Sequence, residues 1–115
     1  MRDIQVYVED IIEAINNIEK YTRGLTYETF AKDKKTVDAV IRNFEIIGEA
    51  TKYIPERVRK EYPKVPWKDM AGMRDKLIHG YFGVKLDVIW KTVKERLPIV
   101  KPLLEEALTK MEEKA

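Results

Sequence analysis

Apolar residues recur three and four positions apart along almost the whole chain, a period that fits amphipathic α-helices and no strand. Ile4, Val8, Ile11, Ile15 and Ile18 form one such stripe, with Ile12 beside it, and predict a helix from about Asp3 to about Arg23. Gly24 is placed to stop it. Thr26 to Lys32, with Tyr27 and Phe30 three apart, predicts one or two helical turns. Asp33 suits the N-cap of a longer helix. Its stripe is Val37, Val40, Ile41, Phe44, Ile47 and Ile54, with Gly48 and Thr51 on the same face. A glycine inside a helix costs about 1 kcal/mol relative to Ala, so Gly48 points to a close helix crossing or a nearby ligand. Tyr53-Ile54-Pro55 ends this helix, because the residue before proline is pushed out of the helical region. Pro55 then suits the first turn of a short helix reaching Glu61.

Tyr62-Pro63-Lys64-Val65-Pro66-Trp67 reads as a stiff, extended linker, since two prolines in four residues fix the backbone. A helix from Trp67 to about Gly80 follows, then a turn, Tyr81-Phe82-Gly83-Val84. Leu86, Ile89, Trp90, Val93 and Leu97 open the last helix, which continues through Val100, Leu104, Leu108 and Met111. Pro98 and Pro102 should kink or split it near its middle. The tail Glu112 to Ala115 should fray. Tyr7, Tyr21, Tyr53, Tyr62 and Trp90 are expected as core or boundary aromatics. With no strand-period stretch and no internal repeat, the reading is all-α: an antiparallel bundle of four main helices plus short helices. Its 115 residues are expected to form a single domain, 1–115.

Composition narrows the chemistry. Hydrophobic residues make up 44% of the chain, enough for a packed core. There is no cysteine, so disulfides, thiolate metal sites and cysteine nucleophiles are excluded. A single histidine excludes a site built from several His ligands of one chain. Lys and Arg total 22 against 20 Asp and Glu, a net charge of +2, too balanced for a surface that clamps nucleic acid everywhere but compatible with a local basic cleft. No apolar run approaches the ~18 residues of a membrane span, and the start lacks a signal-peptide core. A cytoplasmic protein with no membrane partner is the expectation.

The lone His79 stands at the end of its helix, and on a straight helix Asp75, four residues earlier, shares its face and could orient the imidazole or raise its pKa. Arg74 is rotated roughly 140° from His79 around the axis at ~100° per residue. The two side chains of one chain therefore diverge, and a C2 dimer pairing two such helices could gather both sets in one groove. Read from spacing alone, Arg74 and Asp75 equally suit a solvated charged face. A second polar group lies on the middle helix: Arg42, Glu45 and Glu49 share a face, and Asn43 adjoins them. Surface ion pairing accounts for these equally well. Nothing matches a P-loop, GxGxxG, HExxH or EF-hand pattern.

Gly72-Met73-Arg74-Asp75-Lys76-Leu77-Ile78-His79-Gly80-Tyr81-Phe82 resembles the R-x4-H-x-Y signature of the HepT-like branch of HEPN proteins. Ile41-Arg42-Asn43-Phe44-Glu45-Ile46-Ile47-Gly48-Glu49-Ala50 resembles that branch's middle-helix signature. The linker Tyr62 to Trp67 and Val88-Ile89-Trp90 are similar to its linker and last helix. The resemblance covers nearly the whole chain, in order and at matching spacing. It implies a HEPN-type all-α bundle that forms a homodimer through the helix carrying Arg74 and His79. It further implies a metal-independent endoribonuclease toxin without a cofactor, with Arg74 and His79 catalytic, Asp75 supporting, and Arg42, Asn43 and Glu49 lining the cleft. Its implied partners are RNA and an MNT-type nucleotidyltransferase antitoxin, which silences the toxin by AMPylation of the motif tyrosine, Tyr81. The family commonly has Asn after the motif arginine, where this chain has Asp75, and a carboxylate there repels phosphate unless it is paired.

The residue chemistry agrees with that implication. RNA cleaves itself when its 2′-OH attacks the adjacent phosphorus, given a base for the proton and a cation for the phosphorane. A histidine with a reference pKa of ~6.5 can be base or acid, and the arginine fork can hold two phosphate oxygens. Two other readings compete: a non-catalytic, nucleotide-binding partner subunit of a nucleotidyltransferase, and a purely structural dimeric bundle.

Overall fold

The computed structural model describes residues 3–73, 75 and 85–115. It holds α1 (Ile4–Thr22), α2 (Tyr27–Lys32), α3 (Lys34–Lys52), α4 (Glu56–Glu61), α5 (Trp67–Ala71), α6 (Leu86–Lys91) and α7 (Leu97–Lys114), with a π-helical turn, Thr92–Arg96, joining the last two. The described residues contain no strand, as the apolar period predicts.

Local chemistry sets the helix ends. The Asp3 carboxylate accepts the Gln5 amide at the start of α1, and Gly24 follows its end at φ +79°, a left-handed conformation that favours glycine. Thr26 and Thr29 form a reciprocal capping box on α2, each hydroxyl accepting the other's backbone amide, at 2.9 and 3.2 Å. Asp33 ends α2 and caps α3, accepting the Thr36 amide at 3.1 Å and the Thr36 hydroxyl at 2.7 Å. The hydroxyl bond, followed by the amide, holds the Asp33 carboxyl below its ordinary 3.8.

At the other end of α3, Arg59 reaches back from α4. Its Nε donates to the Ile54 carbonyl at 3.0 Å and its Nη2 to the Thr51 carbonyl at 2.9 Å, satisfying oxygens that the helix leaves orphaned. Pro55 stands as the extended N-cap of α4, not within its first turn. The linker also differs from expectation: it turns instead of extending. The Val65 amide donates to the Tyr62 carbonyl at 3.2 Å, with Pro63 in the second position of the turn. The φ that proline imposes suits that position as well as an extended chain. Trp67 Nε1 donates to the same Tyr62 carbonyl at 3.0 Å and locks the turn onto α5.

The helix predicted from Trp67 to Gly80 is interrupted at Gly72, which caps α5 with its amide donating to the Lys68 carbonyl at 3.0 Å. Met73 and Asp75 are again helical, and the rest of that prediction, with the turn Tyr81 to Val84, lies outside the described residues.

The last helix does break its α-helical pattern, through a π turn that ends two residues before Pro98, while Pro102 stands inside α7 without interrupting it. A proline ring collides with the carbonyl four residues back in a regular α-helix, and i→i+5 bonding widens the turn there. Buried Ile89, Val93 and Leu97, four apart, stay on one side across the widened turn. The C-terminal tail stays helical to Lys114, because Lys114 pairs with Glu61 and stands 6.0 Å from the Tyr62 ring centroid.

α1 packs against α3 and α7, and α3 against α5. Val8, Ile11, Ile15 and Ile18 of α1 join Val40, Phe44 and Ile47 of α3 and Leu97 and Leu104 of α7 in one buried cluster. Burying each such side chain contributes about 1.5–3 kcal/mol. Among the described residues no helix is long and apolar enough to cross a membrane.

Candidate functional site

The polar face of α3 looks across to α1. Arg42, Glu45, Ile46, Glu49 and Ala50 of α3, Tyr53 just beyond it, and Tyr7 and Asp10 of α1 line one open cavity of about 500 Å³. Arg42 Nη1 lies 3.5 Å from Glu45 Oε2, an exposed pair of small energetic value. Tyr7 and Tyr53 stack at the cavity with ring centroids 5.0 Å apart and planes 10° apart. Tyr53 keeps 57% of its surface exposed, and Tyr21 is exposed too, so neither is a core aromatic. The cavity thus presents one guanidinium among three carboxylates, with an aromatic pair beside them.

The structure brings Arg42 and Glu49 together on this wall and sets Asn43 behind it. Asn43 is only 6% exposed. Its Oδ1 accepts from Asn17 Nδ2 at 3.2 Å, and its Nδ2 donates to the Ala39 carbonyl at 2.9 Å. This amide pair ties α3 to α1. Asn43 also borders a neighbouring hollow with Asp10, Glu13 and Asn17.

The Tyr7–Tyr53 stack and Asp10 escaped the sequence reading, although a signal existed. Tyr7 and Asp10 are three apart on α1 and flank its apolar stripe. Arg42, Glu45, Glu49 and Tyr53 follow one another at helical spacing.

The chain leads from this wall toward the motif. α5 lies against α3, anchored by buried Trp67 and Met70, and Met73 packs on the core. Asp69 of α5 faces Arg96 of the π turn at 3.6 Å, linking the segment before the motif to the last helix. Asp75 is helical and exposed. Arg74, His79 and Tyr81 lie outside the described residues. Among the described residues no group of three acidic or histidine side chains is arranged to hold a metal ion.

The family model described as Ribonuclease HepT-like matches residues 11–107. A protein of Thermococcus cleftensis named "Probable ribonuclease HepT" is 56% identical over 100 residues, covering 87% of this chain and 91% of its own. "Putative RNase MJ0125" of Methanocaldococcus jannaschii is 44% identical over 113 residues, covering 98% and 97%. "Putative RNase TTE0752" of Caldanaerobacter subterraneus is 41% identical over 110 residues, covering 96% and 98%. No solved structure matches the chain at a significant level.

Proposed function

We propose that this chain, which belongs to the HepT-like ribonuclease family, is a metal-independent endoribonuclease toxin acting as a cytoplasmic homodimer of one domain, residues 1–115. The observation that carries the reading is the Arg74-x4-His79-x-Tyr81 constellation inside a stretch that the family matches continuously from residue 11 to 107.

In this mechanism His79 of one protomer takes the proton of a ribose 2′-OH. The freed oxygen bonds to the adjacent phosphorus, and the bond from phosphorus to the 5′-oxygen breaks. A proton taken up from solvent returns to that 5′-oxygen, so the ends are a 2′,3′-cyclic phosphate and a 5′-OH. Arg74 stabilises the charge gathering on the phosphorane oxygens. Proton transfer and charge stabilisation by side chains are sufficient for this route, and DNA, lacking the 2′-OH, resists it. Arg42, Glu45 and Glu49 form the cleft wall, where carboxylates suit base amino groups better than phosphate.

The cognate partner is an MNT-type nucleotidyltransferase that attaches AMP to Tyr81. The added phosphodiester competes with RNA phosphate for Arg74 and its bulk fills the groove. The test is RNA cleavage by purified protein in EDTA, alongside Arg74→Ala and His79→Ala. Loss in both variants with the helical signal unchanged supports the assignment, and activity that survives His79→Ala refutes it. Co-expression with the neighbouring nucleotidyltransferase should add mass in multiples of AMP, and Tyr81→Phe should prevent the gain.

A further inference from the structure

We infer that the groove between α4 and the start of α5 is a seat for the phosphate backbone of single-stranded RNA, separate from the cleft wall on α3. This rests on the ribonuclease reading for the identity of the polymer, but the binding chemistry stands on the groove itself. The groove is an open hollow of about 640 Å³ bordered by Arg59, Lys60 and Lys68, with Pro63, Val65 and Pro66 supplying apolar surface.

Its charge balance is the reverse of the α3 wall. Two carboxylates also border it, Glu56 and Asp69, but Asp69 already faces Arg96 at 3.6 Å. Lys60 and Lys68 are exposed and have no carboxylate in ion-pair range among the described residues. Arg59 is fixed in place by the Thr51 and Ile54 carbonyls through Nη2 and Nε, while its Nη1 makes no hydrogen bond among the described residues. A guanidinium held by two carbonyls is pre-organised, so a phosphate meets a cation whose side-chain entropy is already lost.

Position adds to charge. Lys68 and Asp69 belong to α5, and Arg74 follows Lys68 by six residues. The groove therefore adjoins, along the chain, the segment that carries the motif. Neutralising phosphates with Lys and Arg releases counterions, and log K against log salt then falls with a slope of about −0.7 per phosphate contact for a single strand.

The experiment compares the full-length protein with Lys60→Gln/Lys68→Gln and with a control of equal charge change elsewhere, Lys20→Gln/Lys32→Gln. Binding of a fluorescent single-stranded 2′-O-methyl oligoribonucleotide, which lacks the attacking hydroxyl, is measured by anisotropy across a salt series, and cleavage of an unmodified ribodinucleotide is measured in parallel. The expected result is a several-fold loss of affinity in the groove variant and a slope shallower by about 1.4, with dinucleotide cleavage and the control unchanged. Equal affinity and slope in the groove variant and the wild type would overturn the proposal and leave the nuclease reading standing. An equal loss in the control would also overturn it, as a bulk charge effect. Wild-type protein that binds the probe through the groove but cleaves neither the dinucleotide nor the unmethylated oligoribonucleotide would support the seat and sink the nuclease reading. If the groove variant loses binding to poly-glutamate and keeps RNA binding, the groove is a seat for an acidic protein and the proposal fails.

Discussion

Two residues show how little of the chain is decorative. Asp33 closes one helix and opens the next, and both of its bonds to Thr36 favour the charged carboxylate. A carboxyl whose folded pKa is depressed stabilises the fold above its unfolded pKa and loses that contribution as pH falls through the folded value. Asp33→Ala should therefore lower the melting temperature at pH 7. The gap to the wild type should close as pH drops below the ordinary 3.8, and thermal melts at pH 2.5 and 7 check both halves. Asn43→Ala should cost about 1–3 kcal/mol by denaturant unfolding, because it removes a buried partner from Asn17 and deletes the tie between α1 and α3. Asp33 was legible in the sequence because a cap residue announces itself by type and place. The position of Asn43 was legible too: it lies three after Val40 and four before Ile47, on the buried stripe, whereas Arg42 is turned about 100° away.

At the scale of elements, the ends of helices were easier to read than the breaks inside them. The apolar period fixed α1, α3 and α7 because each buries one stripe, and stripes are written in the spacing. The π turn was written there less plainly, as consecutive steps of four through Ile89, Val93 and Leu97 that a regular helix does not hold in line. Nothing local marked the pause at Gly72, since glycine tolerates helical and non-helical backbone alike and its angles here are φ −83° and ψ −7°. The joint between α3 and α4 depends on a long-range choice, Arg59 turning back on Thr51 and Ile54 instead of facing water. Arg59→Ala should cost about 2 kcal/mol, the value of charge-assisted bonds to otherwise orphaned carbonyls. Hydrogen exchange should show the loss first at the amides of Tyr53 and Ile54, which close the end of α3.

At the scale of the whole molecule, the motif can be named from residue types and spacing, whereas spacing alone leaves its assembly open. Arg74 and His79 are named by their types and by the signature around them, but a helix fixes only the angle between them, roughly 140° at ~100° per residue. That angle leaves one chain unable to aim both side chains at one phosphate from a straight helix, so each site is expected to take Arg74 from one protomer and His79 from its twin. A C2 dimer builds two such sites. Arg74→Ala and His79→Ala homodimers should then both be inactive. When the two variants are unfolded together and refolded at equal amounts, half of the dimers carry one of each. In each mixed dimer, one site combines the intact arginine of one chain with the intact histidine of the other. Activity should return to about a quarter of the wild-type level, the share expected from random pairing of a symmetric dimer. Should one histidine act as base and the twin as acid at the same phosphate, the mixed dimer would keep only one of them, and recovery would fall well below that share with a single limb lost from the pH–rate profile. Complete absence of recovery, in refolded material shown to be dimeric, would overturn the building of one site from Arg74 of one protomer and a single His79 of its twin.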